Sequence, residues 1–219
     1  TLHWACQLAG VTVTPLNWRV SADELDYFIA NAEAKAIFFE AVSADAVNDA
    51  ASVSTMPRVS VDGAPGGTLD FTELMKSSPA PARSRADAED MSLMLYTSGT
   101  TGPVKGVPRR HRSERAAAIA HVAQNCYRYG ESTLGVMPLY HTMGVRSLLA
   151  MALVQGCFVC LPQFDAAKAL ELIARERVTT LYLVPTLYHD LLASDAFESA
   201  DISSIRKLGF AGAPMTDGL

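Results

Sequence analysis

Tyr96-Thr97-Ser98-Gly99-Thr100-Thr101-Gly102-Pro103-Val104-Lys105-Gly106-Val107 follows directly on an apolar run from Met91 to Tyr96. The run has the length of an ordinary strand and predicts a buried one. Beyond it, hydroxyl residues, glycines, a proline and one lysine crowd together. Ser and Thr supply short donors, Gly exposes backbone N–H groups at close range, and Lys adds a point charge. These are the parts of a nest for a chain of phosphates. Ordinary exposed turns use Ser, Thr and Gly too, but the density of hydroxyls and the lone Lys favour the phosphate reading. The stretch is not the common P-loop. Counting from Gly99, Val104 stands where the second glycine belongs, and Gly106 rather than Ser or Thr follows Lys105.

Outward from this stretch the chain alternates. Upstream, Thr1 to Gly10 reads as a helix closed by Gly10, Val11 to Thr14 as a strand, and Pro15-Leu16-Asn17-Trp18-Arg19 as a turn. Ser21-Ala-Asp-Glu24 is a capping box opening an amphipathic helix to about Ala32. Strands are predicted at 36–39 and 58–61 with a helix at 44–53 between them. Residues 77–90 lack apolar periodicity and read as a linker. Downstream, Arg109-Arg110-His111-Arg112 is expected to head a helix to about Tyr127. A basic cluster there opposes the helix dipole, and fits either a nearby anion or a solvated basic face. Strands at 132–137, 157–161, 180–184 and 205–210 alternate with helices ending near Val154, spanning 166–175, and running from Pro185 to about Leu192. Alternation of this kind predicts an α/β fold with helices on mostly parallel sheets. The expected division is a first α/β region over 1–78, a linker over 79–90 and a second α/β region over 91–219.

With 219 residues and 49% hydrophobic content, the chain can bury a sizeable core. A formal charge of −5 gives no electrostatic case for nucleic acid as a partner. The longest apolar stretch, Leu148 to Leu161, is interrupted by Gln155-Gly156 and too short to span a bilayer, so no membrane partner is expected. No charged-then-apolar leader is visible at Thr1. Cys157-Phe-Val-Cys160 has a C-x-x-C spacing, but in a strand those positions point to opposite faces and no second pair lies nearby. Free buried cysteines, with Cys6 and Cys126, are expected, suiting a reducing cytoplasm.

The stretch from Thr97 to Gly106 resembles the signature T-S-G-T-T-G-x-P-K-G of the adenylate-forming (AMP-binding) superfamily, with Pro103-Val104 where the family generally has x-Pro. That superfamily includes acyl- and aryl-CoA synthetases, peptide-synthetase adenylation domains and firefly luciferase. Pro138-Leu139-Tyr140-His141 is similar to a second family motif, Val184-Pro185-Thr186 to a third, and Phe210-Ala211-Gly212-Ala213-Pro214 to a fourth. Order and spacing are most similar to aryl-CoA ligases of the 4-chlorobenzoate and benzoate type. The resemblance implies the central part of the family's large N-terminal domain, built from two pseudo-related subdomains. The family's Tyr-Gly-x-Thr-Glu segment, ribose-binding Asp, hinge and C-terminal catalytic Lys do not occur here, and the piece alone is expected to be inactive.

By that resemblance, Thr97, Ser98, Gly99, Thr100, Thr101, Gly102 and Lys105 would hold the phosphates of ATP, aided by Mg²⁺. Gly212, Ala213 and Pro214 would line the adenine, and Arg19, in a turn similar to the Asn-Pro-Arg turn of aryl-CoA ligases, would meet a CoA phosphate. His141 would gate the acyl pocket and take part in catalysis, and Thr142, Met143, Tyr182 and Ala211 would shape that pocket. Tyr182 reads equally well as a core aromatic, and His3, His121 and His189 read as structural. The implied reaction is AMP-forming ligation of an aromatic or fatty carboxylic acid to CoA. Two alternatives stay open: an adenylation domain serving a carrier-protein thiol, and a non-catalytic nucleotide-binding module.

Overall fold

The capping box at Ser21 forms as expected: the Ser21 N–H donates to Glu24 Oε2 at 2.9 Å and the Glu24 N–H to Ser21 Oγ at 3.3 Å. It opens the second helix of a chain whose computed structural model describes residues 1–76, 83–97 and 104–215. In order, the first elements are α1 (Leu2–Ala9), α2 (Ala22–Asn31), β1 (Ile37–Phe39), α3 (Ala44–Asp49), β2 (Arg58–Ser60), β3 (Leu69–Asp70), α4 (Phe71–Lys76), β4 (Met91–Thr97) and β5 (Lys105–Arg110). They continue as α5 (His111–Gln124), β6 (Ser132–Gly135), α6 (Thr142–Leu153), β7 (Cys157–Cys160), α7 (Ala166–Arg175), β8 (Thr180–Leu183), α8 (Pro185–Leu192) and β9 (Lys207–Phe210). The chain divides into two compact units, Thr1–His111 and Arg112–Leu219.

In the first unit, Gly10 closes α1 at φ 71°, in the left-handed region that glycine adopts without a steric cost. α2 buries Leu25, Phe28 and Ile29, and Leu25 and Ile29 join Phe39, Val47 and Val53 in one cluster. β1, β2 and β3 make a parallel sheet. The single helix expected over 44–53 breaks at Ala50, which is extended, and a 3-10 turn follows over Ala51–Thr55. Asp26 explains the break. Its carboxylate accepts from the N–H groups of Ala51 and Ser52, at 3.1 and 2.8 Å, and from the Ser52 hydroxyl. Where a strand was expected over 11–14, only Val13 bridges, to Leu93.

β5 departs from the sequence expectation. It pairs antiparallel with β4, and Pro108 sits in the ladder opposite Met94. Val13 bridges the β4 side of the ribbon, but the outer edge of β5 pairs with no strand among the described residues, and there a residue without an N–H is tolerated. Arg109 and Arg110 therefore belong to this ribbon rather than to a helix start, and Arg110 pairs with Glu89 at 3.2 Å. The ribbon lies within the first unit, which ends at His111.

The second unit carries a parallel sheet ordered β7-β6-β8-β9. From β6 the chain passes outward to β7, then returns across β6 to β8 and continues to β9. The carboxyl ends of β6 and β8 thus flank a point where the strand order reverses, the usual place for a ligand crevice in an open parallel sheet. One face buries Leu181 and Leu183 against Ala169, Leu170 and Ile173 of α7 and Tyr188 and Leu191 of α8. Tyr188 donates its hydroxyl to Gly209 O at 2.7 Å, tying α8 to β9, and burial pushes its phenol well up. A groove of about 400 Å³ beside α8 is lined by Leu192, Phe197, Leu208 and Phe210. Leu208 and Phe210 are 68% and 49% exposed on the edge strand β9.

The cysteines correct an expectation. Cys126, Cys157 and Cys160 are exposed and Cys6 is half-buried, and none of the four is in a disulfide. β7 is also an edge strand, and in it only Val159 is buried. No helix among the described residues is long and apolar enough to cross a membrane.

Glu131, 3% exposed, gathers the start of this sheet: it accepts from Lys207 Nζ, from Thr179 Oγ1 and from the Arg128 N–H at 3.3 Å. Burial alone would raise its carboxyl, but the Lys207 ammonium and the other donors hold it below the ordinary glutamate value. Replacing Glu131 by Gln should cost about 2–3 kcal/mol in denaturant unfolding, less than for a fully buried pair because Lys207 retains some water contact. A carboxyl depressed in the folded state contributes stability above its unfolded value of about 4.3 and loses it as pH falls through the folded value. Glu131→Gln should therefore flatten the acid limb of the stability profile.

Candidate functional site

In the first unit, Thr97 and Lys105 end and begin the two strands of the ribbon and face each other in register. Both are exposed. The strand geometry therefore brings the ends of the phosphate-type stretch together. Ser98, Gly99, Thr100, Thr101, Gly102 and Pro103 lie outside the described residues. A Cβ on Gly106 would stand 2.0 Å from Met94 Cε and 2.9 Å from Asn31 Oδ1, so a side chain there would have to displace the ends of those two side chains. Arg19 lies exposed in its turn, its N–H on Asn17 Oδ1 at 3.1 Å and its guanidinium 4.5 Å from the Trp18 ring centroid. The tryptophan thus gives the cation a flat support that leaves its polar rim to solvent.

In the second unit, the predicted residues collect at the carboxyl ends of β6, β8 and β9. The chain leaves β6 through Pro138 and turns, with the His141 N–H on Pro138 O at 3.0 Å. His141 is the N-cap of α6, extended at φ −116°, and exposed, with its ring 4.6 Å from that of Tyr140. Thr142 and Met143 form the first turn of α6 behind it, and Gly144 is buried. A Cβ on Gly144 would lie 2.3 Å from the carbonyl oxygens of both Met137 and Pro138, so the helix sits directly on the turn that presents His141. Beyond β8 and β9, Ala211 is half-buried with its N–H toward Leu183 O at 3.4 Å. Gly212 follows at φ 89°, and Ala213 and Pro214 are exposed.

Tyr182 faces the other side of the sheet from Leu181 and Leu183. Opposite Gly209 in the β8–β9 register, it packs against His121 of α5 with ring centroids 4.7 Å apart. It is half-buried, and burial raises its phenol. A side chain at Gly209 would meet that ring at 3.0 Å. His121, read from sequence as structural, is the neighbour that sequence reasoning did not connect to Tyr182. Its Nε2 is buried with no hydrogen-bond partner among the described residues, and burial, then the charge of Arg146, lowers its tendency to protonate. Asn125, one turn on, donates to His121 O at 2.8 Å. Nothing in the sequence around His121 named Tyr182, sixty-one positions on, as its partner.

The AMP-binding enzyme family matches this chain over residues 1–219. The chain belongs to that family. A feruloyl-CoA synthase from Amycolatopsis sp is 30% identical over 213 residues, which is 97% of this chain and 41% of that protein. A 4-chlorobenzoate–CoA ligase from Pseudomonas sp. (strain CBS-3) is 37% identical over 145 residues, 65% of this chain and 27% of that protein. Among solved structures, the inhibitor-bound N-terminal domain of FACL13 from Mycobacterium tuberculosis superposes with a TM-score of 0.87 at 26% identity, covering 99% of this chain and 54% of that one. The expected α/β fold and family are thereby borne out. The chain spans about two fifths of the length of the curated relatives that it matches along nearly its whole extent.

Gly144→Ala tests how closely α6 seats the His141 turn. With no space for a methyl group, the variant should lose about 1–3 kcal/mol of stability by overpacking. The amide resonances of Pro138's neighbours and of His141 should move more than those of β7.

Proposed function

We propose that this chain is the part of an AMP-forming acid–CoA ligase that handles ATP and the acyl group. The observation that carries the reading is the family membership along the whole chain, joined to a ribbon that closes with Lys105 opposite Thr97. In the reaction, a carboxylate oxygen of the acid attacks the α-phosphorus of ATP, the new O–P bond forms and pyrophosphate leaves. The CoA sulfur then attacks the acyl carbon, the bond to AMP breaks, and the thioester and AMP are released. Such chemistry is mostly positioning and charge stabilisation.

The stretch from Thr97 to Lys105 would cradle the β- and γ-phosphates, with Lys105 supplying charge. Gly212 to Pro214 would lie along the flat adenine ring, where small residues permit close approach. His141, exposed at the start of α6, would meet the acyl group, with Thr142, Met143, Tyr182 and Ala211 around it. Arg19, supported on Trp18, would meet a CoA phosphate. Mg²⁺ would arrive on the nucleotide's phosphates; among the described residues no cluster of three His, Cys, Asp or Glu side chains could hold a metal. The substrates would be aromatic or fatty acids, and the four cysteines, none in a disulfide, suit a reducing cytoplasm.

Exchange of labelled pyrophosphate into ATP, run with the complete protein and a panel of benzoate-like and fatty acids, tests the reading. Acid-dependent exchange supports it, and none with any acid overturns it. Lys105→Ala should weaken ATP use by about ten- to a hundredfold, the worth of a charged hydrogen bond, while acid binding stays near its original value. His141→Ala should lower adenylate formation or shift which acids are accepted, with the thermal midpoint within about 2 °C, because an exposed side chain in the turn before α6, making no capping hydrogen bond, has little core to lose. A large fall in the midpoint with unchanged rate per folded molecule would remove the gating role.

A further inference from the structure

One helix holds both flanks of the phosphate-type stretch. On the incoming side, Tyr96, the last residue before Thr97, donates its hydroxyl to Asn31 Oδ1 at 2.8 Å and sets its ring 4.4 Å from that of Phe28. On the outgoing side, the Tyr27 hydroxyl donates to the carbonyl oxygen of Val104 at 2.7 Å, one residue before Lys105. Tyr27 and Asn31 are four apart on α2 and so share a face. At Gly106 the lack of a side chain leaves Asn31 Oδ1 undisturbed, since a Cβ there would stand 2.9 Å from it. The helix itself is fixed by its capping box and by the buried Leu25, Phe28 and Ile29.

A two-stranded ribbon is marginal alone, and Thr97 with Lys105 is the outermost pair of this one. A hydrogen bond to the Val104 carbonyl fixes backbone irrespective of the side chain there, and Tyr96 stays a donor because burial and then Tyr27 push its phenol up. Tyr27 is 40% exposed, more than a ring kept for packing needs to be.

We propose that Tyr27 and Asn31 are positioning residues for the nucleotide's phosphates, setting the backbone of Thr97 and Lys105 through Val104 and Tyr96. The proposal rests on the reading that this stretch takes the phosphates of ATP. In the complete protein, Tyr27→Phe removes one oxygen and keeps the ring. It should raise KM for ATP about three- to tenfold, with kcat and the acid's KM within about twofold, the loss expected for one neutral hydrogen bond. Asn31→Ala should act in the same direction, and the double variant more strongly, with the thermal midpoint of Tyr27→Phe within about 2 °C of the parent. Should Asn31→Ala fold poorly, Tyr27→Phe carries the test alone. Lys105→Ala is measured alongside. If it impairs ATP use while Tyr27→Phe does not, the positioning role is wrong and the phosphate reading stands. If Tyr27→Phe raises both KM values together in step with a fallen midpoint, its role is structural only and the proposal is overturned. If Lys105→Ala leaves ATP use unchanged, the phosphate reading itself fails and takes the proposal with it.

Discussion

Parallel pairing of β7, β6, β8 and β9 is the constraint on which the second unit depends. A parallel pair cannot be joined by a tight turn, so each return requires a crossover, here α6, α7 and α8. Crossovers are right-handed in nearly all proteins, so helices leading outward in opposite directions fall on opposite faces. α7 and α8 share the face that buries Leu181 and Leu183, whereas Tyr182 meets α5 on the other. The same pairing sends every strand's carboxyl end to one edge. His141 and Ala211 share that edge although seventy positions separate them in sequence.

Elements with a local chemical cause were legible beforehand. The capping box at Ser21 needs only residues three apart, the Gly10 stop needs one residue without a side chain, and Pro185 opens α8 with the φ a helix start requires. Elements whose cause lies elsewhere in the chain were not. The break in the helix at Ala50 is made by Asp26, distant in sequence, and no local pattern carries it. β3 has two residues, too few for any periodicity. β5 contains Pro108, which argues against a strand except at an edge, and edge status is decided only by assembly. The cysteines of β7 were misjudged for the same reason: apolar neighbours predict burial, but an edge position exposes them.

The candidate site shows a similar split. Residues that chemistry demands of a phosphate or an acyl group stand out by type, and their placement at strand ends follows from the fold. Residues that hold them do not stand out. Tyr27 and Asn31 look like ordinary members of an amphipathic helix, and His121 like a helix histidine. Each gains meaning from a partner at least sixty positions away: Val104, Tyr96 and Tyr182. A family likeness supplies the first kind of residue and is silent on the second, because supporting contacts depend on how each chain packs.

The strand β9 closes one side of its sheet with nothing paired beyond it among the described residues, and it turns Leu208 and Phe210 toward water. Backbone donors and acceptors in an open row, flanked by apolar side chains, form a template on which another extended chain can add. A polypeptide with this border uncovered is therefore a colloidal hazard to itself. A lysine in place of Leu208 would put a charge on that row, as gatekeeper residues do, without touching the opposite face of the sheet.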